Sequence, residues 1–166
     1  MPPTQAQVAA QFARLHISQH DFEEAEEYLD EMSRHDSEAA RRALLSASVI
    51  AYARPFTQND PSSEDRATSH VPTRLLRDLS AEERMLHSRL LELRNKAVAH
   101  SSYASRPIQQ VTVMETGFSV TGTYFDLTAE GLDQAMFKLI CQKLRVACRL
   151  QKHGLSRTLP LGNSAA

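Results

Sequence analysis

Apolar residues recur at three- and four-residue spacing along most of this chain, and that period restricts the possible folds more than any other feature. The repeat places apolar side chains on one face of an α-helix. Segments 4–18, 20–35, 36–56, 79–100 and 128–153 show it. The first two are consistent with one bent helix or with two helices. The chain is therefore predicted to be mainly α, a helical bundle.

Residues that begin and end helices lie at the expected places. Pro55 should end the third segment, because proline clashes with the preceding helical turn. Gly154 is predicted to end the last helix. Ser80, with Glu83 three residues later, forms the pattern of a capping box. The other predicted N-caps are Thr4, Asp36 or Ser37, and Thr128.

One part of the chain has strand character. Residues 109–114 and 118–125 are rich in β-branched and aromatic side chains, and Gly117 lies in the short connection between them. We expect one small β-hairpin before the last helix, packed on the bundle or on another subunit, because a lone hairpin is marginal in water. Residues 57–71 have loop composition.

The length of 166 residues fits one domain. We assign residues 1–155 to that domain and residues 156–166 to a flexible tail. In the last helix, the predicted buried stripe consists of Leu132, Met136, Leu139, Ile140, Lys143 and Ala147. Cys141 and Cys148 are too far apart on one helix for a disulfide, so buried free thiols are expected, as in a reducing compartment.

Charge is unevenly distributed although the net charge is only −1. Residues 21–38 contain nine acidic residues and one arginine, whereas the chain from Gln134 onward contains six basic residues and no acidic one. The favoured interpretation is two solvated faces of opposite sign. A phosphate-bearing partner on the basic side is the alternative, and arginine, which outnumbers lysine, suits that role.

Several function classes receive no support from the residues. No apolar run approaches the length of a membrane span, and the first residues do not resemble a secretion signal, so a cytoplasmic location is expected. No cofactor motif or cysteine-rich zinc pattern is present. His16 and His20 have the spacing of a helical metal pair but lack a third ligand, so no metal is predicted.

An arginine interrupts the apolar face of the segment 79–100. Arg94 falls beside Leu90 on the helical wheel, and a guanidinium in a helix interface is costly without a partner. Arg94 is consistent with three roles: a clamp on an internal carboxylate within residues 21–30, a side chain extended to solvent, or a phosphate ligand in a cleft shared with His100.

The string LRNKAVAHS, residues 93–101, resembles the signature of the HEPN superfamily (higher eukaryotes and prokaryotes nucleotide-binding domains). Here the signature residues are Arg94, Asn95 and His100. The segment AYARPF upstream and the helical composition are similar to HEPN proteins of abortive-infection systems. The resemblance covers residues 39–102 and implies a HEPN-like bundle.

What the resemblance implies is a metal-independent endoribonuclease, toxin-like, in a toxin–antitoxin or phage-defence context. His100 would act as general acid or base, Arg94 would stabilise charge on the phosphate, and Asn95 would orient the histidine. Lys96, Tyr103 and Arg106 are further candidates for contact with RNA. The alternative is a non-catalytic HEPN-fold module that binds RNA, nucleotide or protein.

Helix geometry bears on how the motif is assembled. Six residues span about 9 Å of helix, and side chains lean toward the N-terminus, so Arg94 leans away from His100. Either the helix breaks before His100, or two subunits share a cleft, and we expect a homodimer. An antitoxin or other protein is a possible partner. His87, Tyr52 and Arg54 are each consistent with a site role or with a structural one.

Overall fold

The computed structural model describes residues 3–57, 71–95, 108–114, 117–122 and 127–158. Within them the fold is mainly helical, as predicted. Its helices are α1 (Gln5–Met32), α2 (Glu38–Ala53), α3 (Ala81–Leu93) and α4 (Gln134–Ser156), and a hairpin of β1 (Ile108–Met114) and β2 (Gly117–Gly122) precedes α4. Short 3-10 turns are formed by Arg54–Phe56, Thr73–Leu76 and Leu127–Glu130.

The first two apolar segments form one continuous helix of 28 residues, α1. The Thr4 hydroxyl accepts from the Gln7 backbone at 3.2 Å, and the Gln7 side chain accepts from the Thr4 backbone at 2.8 Å, which confirms the N-cap as a capping box. α1 packs against both α2 and α4. It is therefore the element around which the bundle is assembled.

The end of α2 is held by its neighbours. Ser37 caps its start, and Pro55 ends it within the turn that follows, as predicted. Buried Arg14 of α1 donates from Nη2 to the carbonyls of Arg54 and Pro55, 3.1 Å each. The Val71 backbone N–H also donates to the Pro55 carbonyl at 3.1 Å. Both ends of the predicted loop 57–71 are thus fixed here, and residues 58–70 lie outside the described ones.

Aromatic rings from all four helices meet in the core. Phe22 of α1, Tyr52 of α2, His87 of α3 and Phe137 of α4 form a cluster with Phe56, and neighbouring ring centroids are 4.7 to 5.9 Å apart. Most of the pairs are tilted or edge-to-face, which is favourable for aromatic side chains. Each helix therefore contributes one ring to a common centre.

The prediction that the acidic and basic stretches form two separate solvated faces is wrong where α1 and α4 meet. They meet between α1 and α4, which run antiparallel. Arg145 contacts Glu23 and Glu26 at 3.2 Å each, and Lys138 bonds to Asp30. Opposite charges thus face each other along the packing interface, where they favour this register of the two helices.

The beginning and end of α4 differ from the prediction. Asp133 is the N-cap, its Oδ1 accepting from the Met136 backbone at 2.9 Å, and not Thr128, which lies in the preceding 3-10 turn. Gly131 separates the turn from the helix with a φ of 63°. Gly154 does not end the helix, which continues to Ser156, and its backbone is not in the left-handed conformation that a glycine cap would adopt.

The buried face of α4 is also rotated from the predicted one. Ile140 is buried as predicted, and Leu132, Met136 and Ala147 are half-buried against the core, but Leu139 and Lys143 are exposed. The fully buried side chains are Phe137, Ile140, Cys141, Leu144 and Cys148. Both cysteines are free and buried, as predicted. Burial raises the pKa of both thiols, that of Cys148 to about 12, so both stay protonated.

The hairpin is confirmed with shifted boundaries. β1 pairs antiparallel with β2, and Gly117 lies in β2 opposite Met114. Residues 123–125 of the predicted second strand are outside the described ones. Val113 and Met114, at the end of β1, are exposed. The packing of the hairpin on the bundle or on another subunit stays a prediction.

None of the described helices has the length and hydropathy needed to cross a membrane.

Candidate functional site at the end of the third helix

The buried face of α3 carries polar side chains as well as leucines. Ser80 begins the helix with the predicted capping box, and Glu83, His87, Leu90 and Leu93 are the buried residues that follow. Arg94 comes next on this face, immediately after the last α-helical residue. Three polar groups on an interior face each need a partner, because an unpaired buried polar group is costly.

The first of these groups, Glu83, has two partners. Its Oε2 accepts from the Ser80 backbone at 2.7 Å, and its Oε1 accepts from Lys143 Nζ at 2.6 Å. The hydrogen bond from Lys143 lowers the pKa of Glu83, with a further contribution from the Ser80 backbone. Glu83 therefore joins α3 to α4 in addition to capping α3, a role that the capping pattern alone does not indicate.

The second group, His87, is bonded to α2. Its Nδ1 lies 2.8 Å from the Tyr52 hydroxyl, and the two residues are 8% and 0% exposed. Burial lowers the pKa of His87 and raises that of Tyr52 well above its usual value. A neutral imidazole shielded from solvent cannot exchange protons with a substrate, so for both residues the structural interpretation is correct.

The third group, Arg94, lies where the regular helix changes. Arg94 and Asn95 adopt a π-helical turn after Leu93, so the α-helix is shorter than the predicted 79–100. Arg94 is half-buried and Asn95 exposed. Arg94 Nη1 donates to Asn95 Oδ1 at 3.0 Å. Two of the three predicted catalytic residues are thus in direct contact.

The carboxylates considered as clamps for Arg94 are engaged elsewhere. Asp21 and Glu24 bond to Arg54, with the Asp21 distance at 3.3 Å. Arg54 therefore has a structural role, joining the end of α2 to α1. The remaining acids of this stretch that form ion pairs face Arg145, Lys138 or His20. Among the described residues, no carboxylate forms an ion pair with Arg94, so the clamp interpretation has no support.

The other predicted site residues lie outside the described part of the chain. These are His100 of the catalytic set and the RNA-contact candidates Lys96, Tyr103 and Arg106. Their roles remain predictions. The structure brings together only Arg94 and Asn95 of the predicted set.

A shallow depression of about 570 Å³ lies on the opposite, outward face of α3. The residues lining it recur at helical spacing and include two arginines: Ala81, Arg84, Met85, Ser88, Arg89 and Glu92. Arg89 bonds to Glu92 and to Glu130. No motif in the sequence indicates this surface; its one distinctive feature is the exposed Met85, a large apolar side chain among polar ones.

The histidine pair of α1 makes contacts that involve no metal. The His16 and His20 rings are edge-to-face with centroids 4.8 Å apart. His16 Nδ1 lies 3.1 Å from Lys152 Nζ, and His20 Nδ1 lies 3.5 Å from Glu23. Within the described ranges, no three His, Cys, Asp or Glu side chains form a group able to hold a metal ion.

Comparison with protein-family models, with curated proteins and with solved structures found no match.

Proposed function

We propose that this chain is a HEPN-type, metal-independent endoribonuclease, toxin-like in a toxin–antitoxin or phage-defence context. The observation that carries the proposal is the environment of Arg94. Its guanidinium lies at the end of a core-facing stripe, is bonded to Asn95, and forms no ion pair with a described carboxylate. An arginine without a carboxylate partner keeps its full charge for an anion such as phosphate.

In the proposed reaction each of the three motif residues has a separate role. Arg94 binds the phosphate oxygens and stabilises their charge as it grows in the transition state. His100 transfers the proton of the ribose 2′-hydroxyl or of the leaving oxygen. Asn95 accepts from Arg94 through Oδ1, which fixes the orientation of the guanidinium toward the substrate. No step requires a metal ion.

The functional unit in this proposal is a cytoplasmic homodimer, with an antitoxin or another protein as a further partner. In this dimer, Arg94 of one subunit and His100 of its mate share one cleft.

The test is cleavage of a labelled RNA pool in EDTA by wild type, Arg94→Ala and His100→Ala. Arg41→Ala is the matched control, since Arg41 is an exposed arginine on α2. We expect both motif variants to lose about 100-fold or more in rate and the control to lose none. Circular dichroism establishes that each variant is folded. Cleavage that persists in both motif variants, or that needs added metal, contradicts the proposal.

Mixing the two inactive variants tests the shared cleft. If the site combines Arg94 of one subunit with His100 of the other, mixed dimers contain one intact site, and equal mixing restores about a quarter of wild-type activity. If each chain builds its own site, the mixture stays inactive.

A non-catalytic RNA-, nucleotide- or protein-binding module is the second candidate, favoured by the depression on α3 with Arg84 and Arg89 at its wall. RNA binding without cleavage, measured by fluorescence anisotropy and weakened by Arg84→Ala, would support it. Wild-type cleavage that Arg94→Ala abolishes decides for the nuclease.

A further inference from the structure

The solvent-facing side of α4 is an amphipathic surface of its own. Its exposed residues follow one stripe at helical spacing from residue 139 to residue 157, and we name this stripe the outer face of α4. It consists of Leu139, Lys143, Val146, Arg149, Leu150, His153 and Arg157. It extends over about 27 Å of helix.

Three large apolar side chains run along the middle of the outer face. Leu139, Val146 and Leu150 are 44%, 39% and 65% exposed. At about 100° per residue they lie within about 40° of one another, on the side of the helix opposite the core. The solvent side of a surface helix normally carries polar residues, so an aligned apolar stripe there indicates a contact surface.

The charged residues on this face are all cations. Arg149 has no ion-pair partner among the described residues, and Arg157 contacts His153 Nε2 at 3.5 Å. Lys143, on the other flank, is paired with Glu83. The sequence contains no acidic residue from Gln134 onward. Lys138 and Arg145 at the α1 interface are paired with carboxylates, whereas Arg149 and Arg157 of the outer face have no carboxylate partner among the described residues.

The apolar stripe and the arginines beside it together indicate which kind of partner fits the outer face. A second copy placed face to face would bring Arg149 and Arg157 against like charges, which is unfavourable. A nucleic acid would pair with the arginines but leave the apolar stripe in water. A helix with leucine-type side chains flanked by Glu or Asp satisfies both features, as in helix-in-groove recognition.

We propose that the outer face of α4 docks an acidic amphipathic helix of another protein. The inference does not depend on the nuclease proposal, since it uses no residue of the Arg94 motif. In this arrangement the partner's apolar side chains cover Leu139, Val146 and Leu150, and its carboxylates pair with Arg149 and Arg157.

The test uses two synthetic helical peptides of 18 residues or so, a length that matches the outer face. Both carry the same leucine stripe, flanked by Glu in one and by Lys in the other. Fluorescence anisotropy with the full-length protein measures each affinity at low and high salt. We expect the Glu peptide to bind about tenfold tighter than the Lys peptide or better, with the difference shrinking as salt rises.

Variants of the outer face make the test specific. Arg149→Glu/Arg157→Glu should reverse the preference, so that the Lys peptide binds and the Glu peptide does not. Leu150→Gln should weaken the Glu peptide about tenfold, equivalent to 1.4 kcal/mol. Arg41→Glu, which reverses an exposed charge on α2, should leave the affinities for both peptides unchanged. All sites are exposed, and circular dichroism checks folding.

Four outcomes overturn the proposal. The first is equal affinity for both peptides, and the second is binding of neither. The third is that an RNA oligonucleotide binds to the wild type and the Glu peptide does not, and that RNA binding is lost in Arg149→Glu/Arg157→Glu. The fourth is a change of oligomeric state on Leu150→Gln, seen by sedimentation, which assigns the face to a second copy of this chain.

Discussion

The hydrogen bond between Tyr52 and His87 offers the sharpest test of the core. Tyr52→Phe removes only the hydroxyl and leaves His87 Nδ1 without its partner in an interior that excludes water. An unsatisfied buried polar group costs about 1–3 kcal/mol. In a domain of this size 1 kcal/mol corresponds to about 2–4 °C in Tm, so we expect Tm to fall by several degrees.

Tyr28→Phe is the matched control, because the Tyr28 hydroxyl bonds to Glu24 at 2.6 Å near the surface, where water replaces it. Urea unfolding at pH 8 should show a clear loss of stability for Tyr52→Phe and almost none for Tyr28→Phe, at unchanged m-value. In Tyr52→Phe/His87→Leu both partners are absent, so the double variant should cost less than the sum of the two single ones. Equal effects of the two Tyr→Phe changes would refute the reasoning.

The same pair sets a pH dependence. Burial lowers the pKa of His87 in the folded state, so below its unfolded pKa of about 6.5 the unfolded state binds more protons than the folded state. The contribution of this group to stability is therefore lost as pH falls from about 6.5 toward its folded pKa. In His87→Leu this part of the decline between pH 7 and pH 5 should disappear.

The remaining predictions concern α4. Asp133→Ala removes its N-cap and should cost about 1 kcal/mol in urea unfolding, with Asp133→Asn close to wild type. Gly131→Ala should destabilise by about 1 kcal/mol, because its φ of 63° strains any side chain. Gly154→Ala, inside the helix with open space around it, should stabilise by about 0.5–1 kcal/mol. A stabilising Gly131→Ala would contradict the left-handed conformation of Gly131, and a destabilising Gly154→Ala would contradict the helical position of Gly154. The buried thiols of Cys141 and Cys148 should react with a thiol reagent only after denaturation, and reaction in the native protein at the rate of free cysteine would contradict their burial.

Local signals in the sequence predicted the helices well, because each depends on a few neighbouring residues. Thr4, Ser37 and Ser80 begin helices as their side chains indicate, and Pro55 ends α2. The predicted N-cap of α4 is wrong because Thr128 and Asp133 both have side chains that cap helices well. The 3-10 turn at Leu127–Glu130 and the positive φ of Gly131 separate Thr128 from α4, so the helix begins after Asp133.

The buried face of α4 could not be predicted from periodicity. The helix has apolar residues on two sides, and the prediction placed Leu139 in the core, whereas Phe137, Cys141 and Leu144 are buried there. Which side faces the core depends on the surfaces that α1 and α3 present, and their ion pairs with Lys138, Lys143 and Arg145 are compatible with the observed rotation of α4. Such contacts join residues 60 or more positions apart, and no local pattern contains them.

In the candidate site, too, features set by neighbouring residues could be predicted and features set by contacts between helices could not. Position on the helical wheel predicted that Arg94 lies on the inner face, and the half-buried side chain agrees. The pairing of Arg54 with Asp21 and Glu24, which removes these carboxylates as clamps, depends on how α2 lies on α1. The depression on α3 depends on exposure, which a single sequence does not report.

The ring cluster at the centre of the bundle has a consequence for how this protein unfolds. Its members come from Phe22, Tyr52, His87 and Phe137, one from each helix and at least 30 residues apart along the chain. No single helix or helical hairpin contains the whole cluster. Phe22, His87 and Phe137 each contact the Tyr52 ring, so detaching α1, α3 or α4 exposes part of that ring. The four helices should therefore lose their structure together, and the environment of Tyr52 reports on the integrity of the whole bundle.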